Sequence, residues 1–232
     1  AGASRRDAFT DQPKLRALLA EEPDFAGFKQ LQADKWSRIE SRMNKKLVAA
    51  MDAAAGVEGS AGLGSLKVEE AAAIAGYTGS DYRFLNAVLR NGGTAAVDGL
   101  VKGQKHSPEQ LLPYINCITS GLNKLPPACA EVVYRGTNLP REVLDRYVPG
   151  AVVSDAAFMS SSSSKGIAFG GIAGAASLHR FTIKQKSGKE VSALTSHVNE
   201  SEILFLPGTA FRVTGRSGPD DKGVIDLELE EV

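Results

Sequence analysis

The sequence predicts an α+β fold, and three observations carry that prediction. Apolar residues recur at helical spacing as far as Leu122, and Pro126-Pro127 closes that stretch. Beyond it the texture shortens to strand-like runs bounded by turn residues. Helices first and strands afterwards means segregated elements, not the alternation of a parallel α/β sheet. The 232-residue chain is also long enough to bury a core without cross-links.

Taken in order, residues 1–12 are polar and carry the pair Arg5-Arg6, which reads as a flexible arm. Pro13 suits a first helical turn, with Leu15, Leu18 and Leu19 as its stripe and Pro23 as its end. A longer helix is expected from about Asp24 to Ala55, because Ile39, Met43 and Leu47 repeat at four and Phe28, Leu31 and Trp36 extend the face. Gly56, Gly59, Gly62 and Gly64 then break the chain, so the division falls at 1–66 and 67–232. Three short helices follow. One spans about Lys67 to Ala75; a second carries Tyr82, Leu85, Val88 and Leu89 and stops at Asn91-Gly92. The third has Ser107 as N-cap and Pro108 at its first position, with Leu111, Ile115, Ile118 and Leu122 as its face. Strands are expected at 131–135, 151–160, 178–184, 190–194, 201–206, 209–214 and 224–230. The last alternates Ile225, Leu227 and Leu229 against Asp226, Glu228 and Glu230.

Composition narrows the function classes. Lys+Arg and Asp+Glu are 27 each, so there is no basic excess for nucleic acid and no polybasic stretch for a membrane surface. Apolar runs are short and broken by charge, so no membrane span is expected. Cys117 and Cys129 are the only cysteines, which suits a reducing compartment. His106, His179 and His197 are scattered without an HExxH or paired CxxC, so no metal site is expected. The start at Ala1 reads as a trimmed or processed form.

Chemistry concentrates in three places. Val132-Val133-Tyr134-Arg135-Gly136 is an apolar strand ending on arginine and glycine. Such an arginine is either a solvated charge or a bidentate phosphate ligand, with Gly136 admitting a ligand to the backbone. Phe158-Met159 leads straight into a run of serines, Ser160 to Ser164. The run is either a solvated loop or a strand whose alternate hydroxyls share a face. Glu200-Ser201-Glu202 opens the strand 203–206 and would put two carboxylates on one face, one of them a base. Glu228-Leu229-Glu230 repeats that pattern and reads as the wet face of a strand, so Glu-x-Glu alone is uninformative. There is no GxSxG or Walker A motif, and Gly170–Gly174 lacks the context of a dinucleotide fingerprint.

Together, and in this order, an arginine at a strand end, an aromatic-x-Ser-x-Ser strand and a Glu-x-Glu strand resemble the Arg-Ser-Glu class of mono-ADP-ribosyltransferases. The likeness extends to Tyr77-Thr78-Gly79, Tyr82, Asn86 and Leu89-Arg90, to Leu139-Pro140 and Tyr147-Val148-Pro149-Gly150, and to residues 202–213. It covers roughly residues 67–232.

The resemblance implies two roughly perpendicular antiparallel β-sheets around an NAD cleft, with NAD as a substrate. It implies that Arg135 holds NAD phosphate or ribose oxygens, that the Gly136 backbone meets the nicotinamide amide, and that Ser160 orients Glu202. Ser162 would support the cleft and Phe169 would stack on nicotinamide. Glu202 would stabilise the oxocarbenium-like transition state, and Glu200 would receive the acceptor. A Glu at position 200 resembles the arginine-modifying members. Nicotinamide leaves as a neutral group from a cationic pyridinium, so no general acid is needed. Two positions depart from the pattern: the usual Ser-Thr-Ser is Ser160-Ser161-Ser162, and Ile172 stands where a phosphate donor is common. Two readings follow. One is a secreted bacterial effector acting in the host cytoplasm, which modifies an arginine of a host protein. The other is a catalytically weak or inactive module of the same fold whose acidic cleft holds an arginine-bearing peptide. Arg5 or Arg6 of the arm could occupy that cleft in either case.

Overall fold

The computed structural model describes residues 19–53, 60–90, 97–98, 105–170, 177–195 and 201–232. Residues 13–18 of the helix expected from Pro13, the Asn91-Gly92 cap, Arg5, Arg6, Ile172 and Glu200 lie outside them.

The helix expected over 24–55 is two. α1 spans Phe25–Leu31, with Asp24 capping it by accepting from the Gly27 amide at 2.8 Å. A 3₁₀ turn at Ala33–Lys35 leads into α2, Trp36–Ala53. The turn lets Phe28 meet both Tyr114, at 4.9 Å between ring centroids, and Trp36, at 5.9 Å, while α2 buries Met43 and Leu47. α3 (Val68–Gly76) runs through a π turn at Tyr77–Asp81 into α4, Tyr82–Arg90. β1 (Val97–Asp98) and β2 (Lys105–His106) form a small antiparallel pair that the sequence reading did not anticipate. α5, Pro108–Lys124, begins at a Ser107 cap, as expected.

Eight further strands follow among the described residues, in an order close to expectation. β3 is Val132–Thr137; after the short α6 (Arg141–Leu144) come β4 (Val152–Ser154) and β5 (Met159–Ser162). α7 (Lys165–Phe169) precedes β6 (His179–Lys184) and β7 (Lys189–Glu190). β8 (Glu202–Phe205), β9 (Ala210–Arg216) and β10 (Ile225–Glu231) complete the chain. Their order is β4-β9-β10-β6-β3-β5-β8-β7.

Two details correct the sequence reading. The single strand expected over 151–160 is β4 and β5, separated at Asp155–Phe158. Asp155 accepts from the Ala157 amide at 3.1 Å, and the chain leaves β9 to join β8. The sheets are not wholly antiparallel either: β10 runs parallel to β6, with Ile225 opposite His179. No hairpin joins those two strands, so turn geometry does not impose their direction. The β3–β5 seam is the single pair Tyr134↔Ser162, so the two halves of the ladder meet at one point.

Two apolar clusters form. One joins α1–α5 with Ala156, Ala157, Phe158, Val191, Leu194 and Leu204. The other fills the space along the sheet with Val133, Phe181, Ile183, Ile203, Phe205, Phe211, Val213, Leu227 and Leu229. β8 contributes Leu204 to the first and Ile203 and Phe205 to the second, so both its faces are buried. That is why its sequence is an unbroken apolar run, and why a glutamate at its start is conspicuous.

Candidate active site

The site lies at the β3–β5–β8 seam. Glu202 is the first residue of β8 and is only 7% exposed. A carboxylate so deep needs partners. Ser160, on the neighbouring strand, donates its hydroxyl to Glu202 Oε1 at 2.6 Å. Ser162 stands directly opposite Glu202, and its Oγ accepts from the Ser164 amide at 3.0 Å. Ser161, pointing the other way, donates to the Ile203 carbonyl at 2.9 Å. The serine run is thus a strand with alternating hydroxyls, not a solvated linker.

Arg135 donates through Nη1 to the carbonyl oxygen of Ser160 at 2.5 Å. As a residue it is half-buried, but its guanidinium points inward, and that desolvation is the main influence lowering its pKa. Arginine nevertheless stays cationic. The three predicted residues therefore form one relay, guanidinium to main chain to hydroxyl to carboxylate. Ser201, just before Glu202, has φ of 45°, the left-handed region that a side chain seldom adopts. Its carbonyl accepts from the Ser163 amide at 3.1 Å, which pins the strained turn.

Gly136 is where β3 meets α7 closely. A Cβ there would sit 2.3 Å from the Ala168 carbonyl oxygen and 2.5 Å from Ser177 Oγ. Phe169 packs edge-to-face on Tyr134, with ring centroids 5.8 Å apart. Glu200, one of the two predicted carboxylates, is outside the described residues.

Four supporting residues have no role in the sequence reading, which names Tyr77, Asn86 and Arg90 only within the family likeness and does not single out Asp155. Arg90 makes a bidentate pair with Asp155, at 3.0 and 2.8 Å. Burial would raise the Asp155 carboxyl, but the hydrogen bonds and charge of Arg90 outweigh it and hold the pKa below the ordinary value. Tyr77 and Asn86 both donate to the Phe158 carbonyl, at 3.2 and 3.3 Å, and Asn86 also donates to the Tyr77 hydroxyl at 3.0 Å. Burial first of all pushes the Tyr77 phenol up, so it remains a donor. These bonds lock the residues leading into β5, and so aim Ser160. An Asp interrupting the apolar stretch 151–158 was the available signal. A cavity of about 100 Å³ between Arg90, Arg135, Tyr147, Asp155, Met159 and Phe181 adjoins the relay. It is the size of a small polar group, not a dinucleotide. Among the described residues no set of three His, Cys, Asp or Glu side chains could hold a metal ion, and no helix is long and apolar enough to cross a membrane.

The chain is similar to several known proteins. The NAD(+)–protein-arginine ADP-ribosyltransferase Tre1 of Pseudomonas putida (strain GB-1) is 33% identical over 165 residues, which is 71% of this chain and 29% of that protein. The putative NAD(+)–arginine ADP-ribosyltransferase Mav of Mycobacterium avium (strain 104) is 35% identical over 166 residues, 72% of this chain and 18% of its own length. The chain therefore spans less than a third of these curated relatives. In fold it is similar to the type III effector XopAI of Xanthomonas axonopodis pv. citri. The TM-score there is 0.63 at 20% identity, covering 97% of this chain and 85% of that one. It also matches the ADP-ribosyltransferase HopU1 of Pseudomonas syringae pv. Tomato DC3000, with a TM-score of 0.60 at 22% identity, over 80% and 87% of the two chains. The sequence profile described as "NAD:arginine ADP-ribosyltransferase" matches residues 10–231, and on that match the chain belongs to the NAD:arginine ADP-ribosyltransferase family.

Proposed function

We propose that this chain transfers ADP-ribose from NAD to an arginine side chain of a host protein. The observation that carries the reading is the relay Arg135–Ser160–Glu202, with the Glu202 carboxylate oriented by a 2.6 Å hydrogen bond. Loss of nicotinamide leaves positive charge on the ribose, and a fixed carboxylate stabilises that charge without reorganising. Arg135 holds donor phosphate or ribose oxygens, the Gly136 backbone takes the nicotinamide amide, and Ser162 and Phe169 complete the donor side. Glu200 receives the guanidinium of the acceptor and accepts its proton as the N-glycosidic bond forms. Residues 67–232 are the transferase unit, and residues 1–66 are an arm and helical extension.

The named arginine specificity of Tre1 supports the acceptor class. The description of XopAI as a type III effector supports delivery from a bacterium into a host cytoplasm. Exoenzyme S of Pseudomonas aeruginosa, similar in fold, is known bound to human 14-3-3 protein beta and carba-NAD. This is consistent with a host protein partner and with NAD in the cleft. The arm is a competing occupant: Arg5 or Arg6 in the acceptor position makes deletion of residues 1–12 raise activity, and an unchanged rate dismisses that role.

The test is nicotinamide release from NAD, with and without a free arginine analogue, for wild type, Glu202→Ala and Glu200→Gln. The expected result is loss of all release in Glu202→Ala. Glu200→Gln should keep hydrolysis but lose transfer. No release by folded wild type would favour the non-catalytic, arginine-binding reading.

A further inference from the structure

The donor side carries an unassigned pair of cations. Arg180 on β6 stands directly opposite Gly136 on β3. On β3, Tyr134 and Gly136 share a face; Tyr134 is opposite Ser162, and Ser162 is opposite Glu202. Arg180, Gly136, Tyr134, Ser162 and Glu202 thus belong to one face of the ladder, whereas Arg135, opposite Phe181, turns to the other.

The Arg180 guanidinium lies over the Phe169 ring, 5.5 Å from its centroid. Lys165 Nζ is 5.8 Å from the same ring and 5.9 Å from that of Tyr134. Among the described residues neither cation forms an ion pair, and Arg180 Nε is buried with no hydrogen-bond partner. Asp226 is the register neighbour of Arg180 on β10, yet it makes no ion pair with it. Asp220, which also feels the Arg180 charge, already accepts from the Lys222 and Val224 amides, both at 2.8 Å. A buried guanidinium nitrogen without an acceptor is costly. A planar guanidinium held against an aromatic ring is preorganised for a bidentate oxyanion.

NAD brings a diphosphate with two negative charges, and the Ile172 side chain can donate nothing to it. We propose that Arg180, assisted by Lys165, binds the donor's diphosphate, and that Phe169 holds the Arg180 guanidinium in place. The cation that the loop position 172 lacks is thereby supplied from the neighbouring strand. The assignment rests on NAD being the donor substrate.

The experiment is equilibrium binding of NAD, ADP-ribose and free nicotinamide to wild type, Arg180→Met, Arg180→Lys and Lys165→Met. Arg180→Met is expected to weaken NAD and ADP-ribose by roughly tenfold to a hundredfold, the value of a charge-assisted hydrogen bond. Nicotinamide, which carries no phosphate, should bind as before. Arg180→Lys should recover part of the loss, and Lys165→Met should weaken NAD by a smaller factor. NAD affinity unchanged in Arg180→Met overturns the proposal. So does an equal loss for NAD and nicotinamide, which would mean that Arg180 acts only by packing Phe169. Wild type that binds no NAD overturns the donor reading itself, and this assignment with it.

Discussion

Ser160 donates to Glu202 across adjacent strands, although the two are not directly opposed: Ser160 faces Leu204 and Ser162 faces Glu202. The bond runs along the diagonal of the ladder, so the carboxylate is held toward Ser160, whose main-chain carbonyl in turn accepts from Arg135. Glu202→Gln keeps a group of the same shape but removes the charge. Nicotinamide release should fall by about a hundredfold to a thousandfold, with little change in NAD affinity. Ser160→Ala frees the carboxylate without neutralising it and should cost only about tenfold. Steady-state kinetics of both variants check the ranking.

Gly136→Ala is expected to damage the donor side through the backbone. Its Cβ would lie within 2.5 Å of both the Ala168 carbonyl oxygen and Ser177 Oγ, so α7 must move away from β3. Overpacking of this kind costs about 1–3 kcal/mol. A lowered unfolding midpoint together with a raised KM for NAD is the expected pair of results.

Asp155→Asn should destabilise the fold by up to about 3 kcal/mol, because it leaves Arg90 partly buried without its counter-charge. The sign with pH follows from the depressed Asp155 pKa. Its contribution is complete above the unfolded carboxyl value of about 4 and is lost as pH falls through the lower folded value. The stability gap between wild type and Asp155→Asn should therefore be flat from neutral pH to about 5 and shrink below 4. Thermal melts across that range measure it.

Lys46 on α2 donates its ammonium to the main-chain carbonyl of Thr195, the last described residue before the segment that carries Glu200. Leu194 sits in the same apolar cluster as Met43 and Leu47 of that helix. Lys46→Met should therefore lower transfer to an arginine analogue by a few-fold relative to hydrolysis of NAD. Lys46→Arg should restore the ratio. A ratio unchanged in Lys46→Met would limit this contact to stability.

Much of this protein was legible in its sequence, and the reason is local. Helix faces follow from spacings such as Leu111, Ile115, Ile118 and Leu122, and the start of α5 from the Ser107 cap. Arg135, Ser160 and Glu202 could be singled out because strand ends, alternating hydroxyls and a charge opening an apolar run are each local patterns. What tertiary structure decided is which of the equivalent patterns matters. Glu228-Leu229-Glu230 has the same form as Glu200-Ser201-Glu202, yet Glu228 is exposed on the wet side of β10 while Glu202 is buried against Ser160. Burial depends on what packs over a strand, and no residue's own neighbours in sequence specify that. The same holds for the break at Asp155, which needed Arg90 from a helix far earlier in the chain. It holds for Arg180, an ordinary strand arginine until the β3–β6 register sets it beside Gly136 and under Phe169. Pattern along the chain names candidates. Long-range pairing removes some of them from water and leaves others in it, and that desolvation is what turns a charge into a functional group.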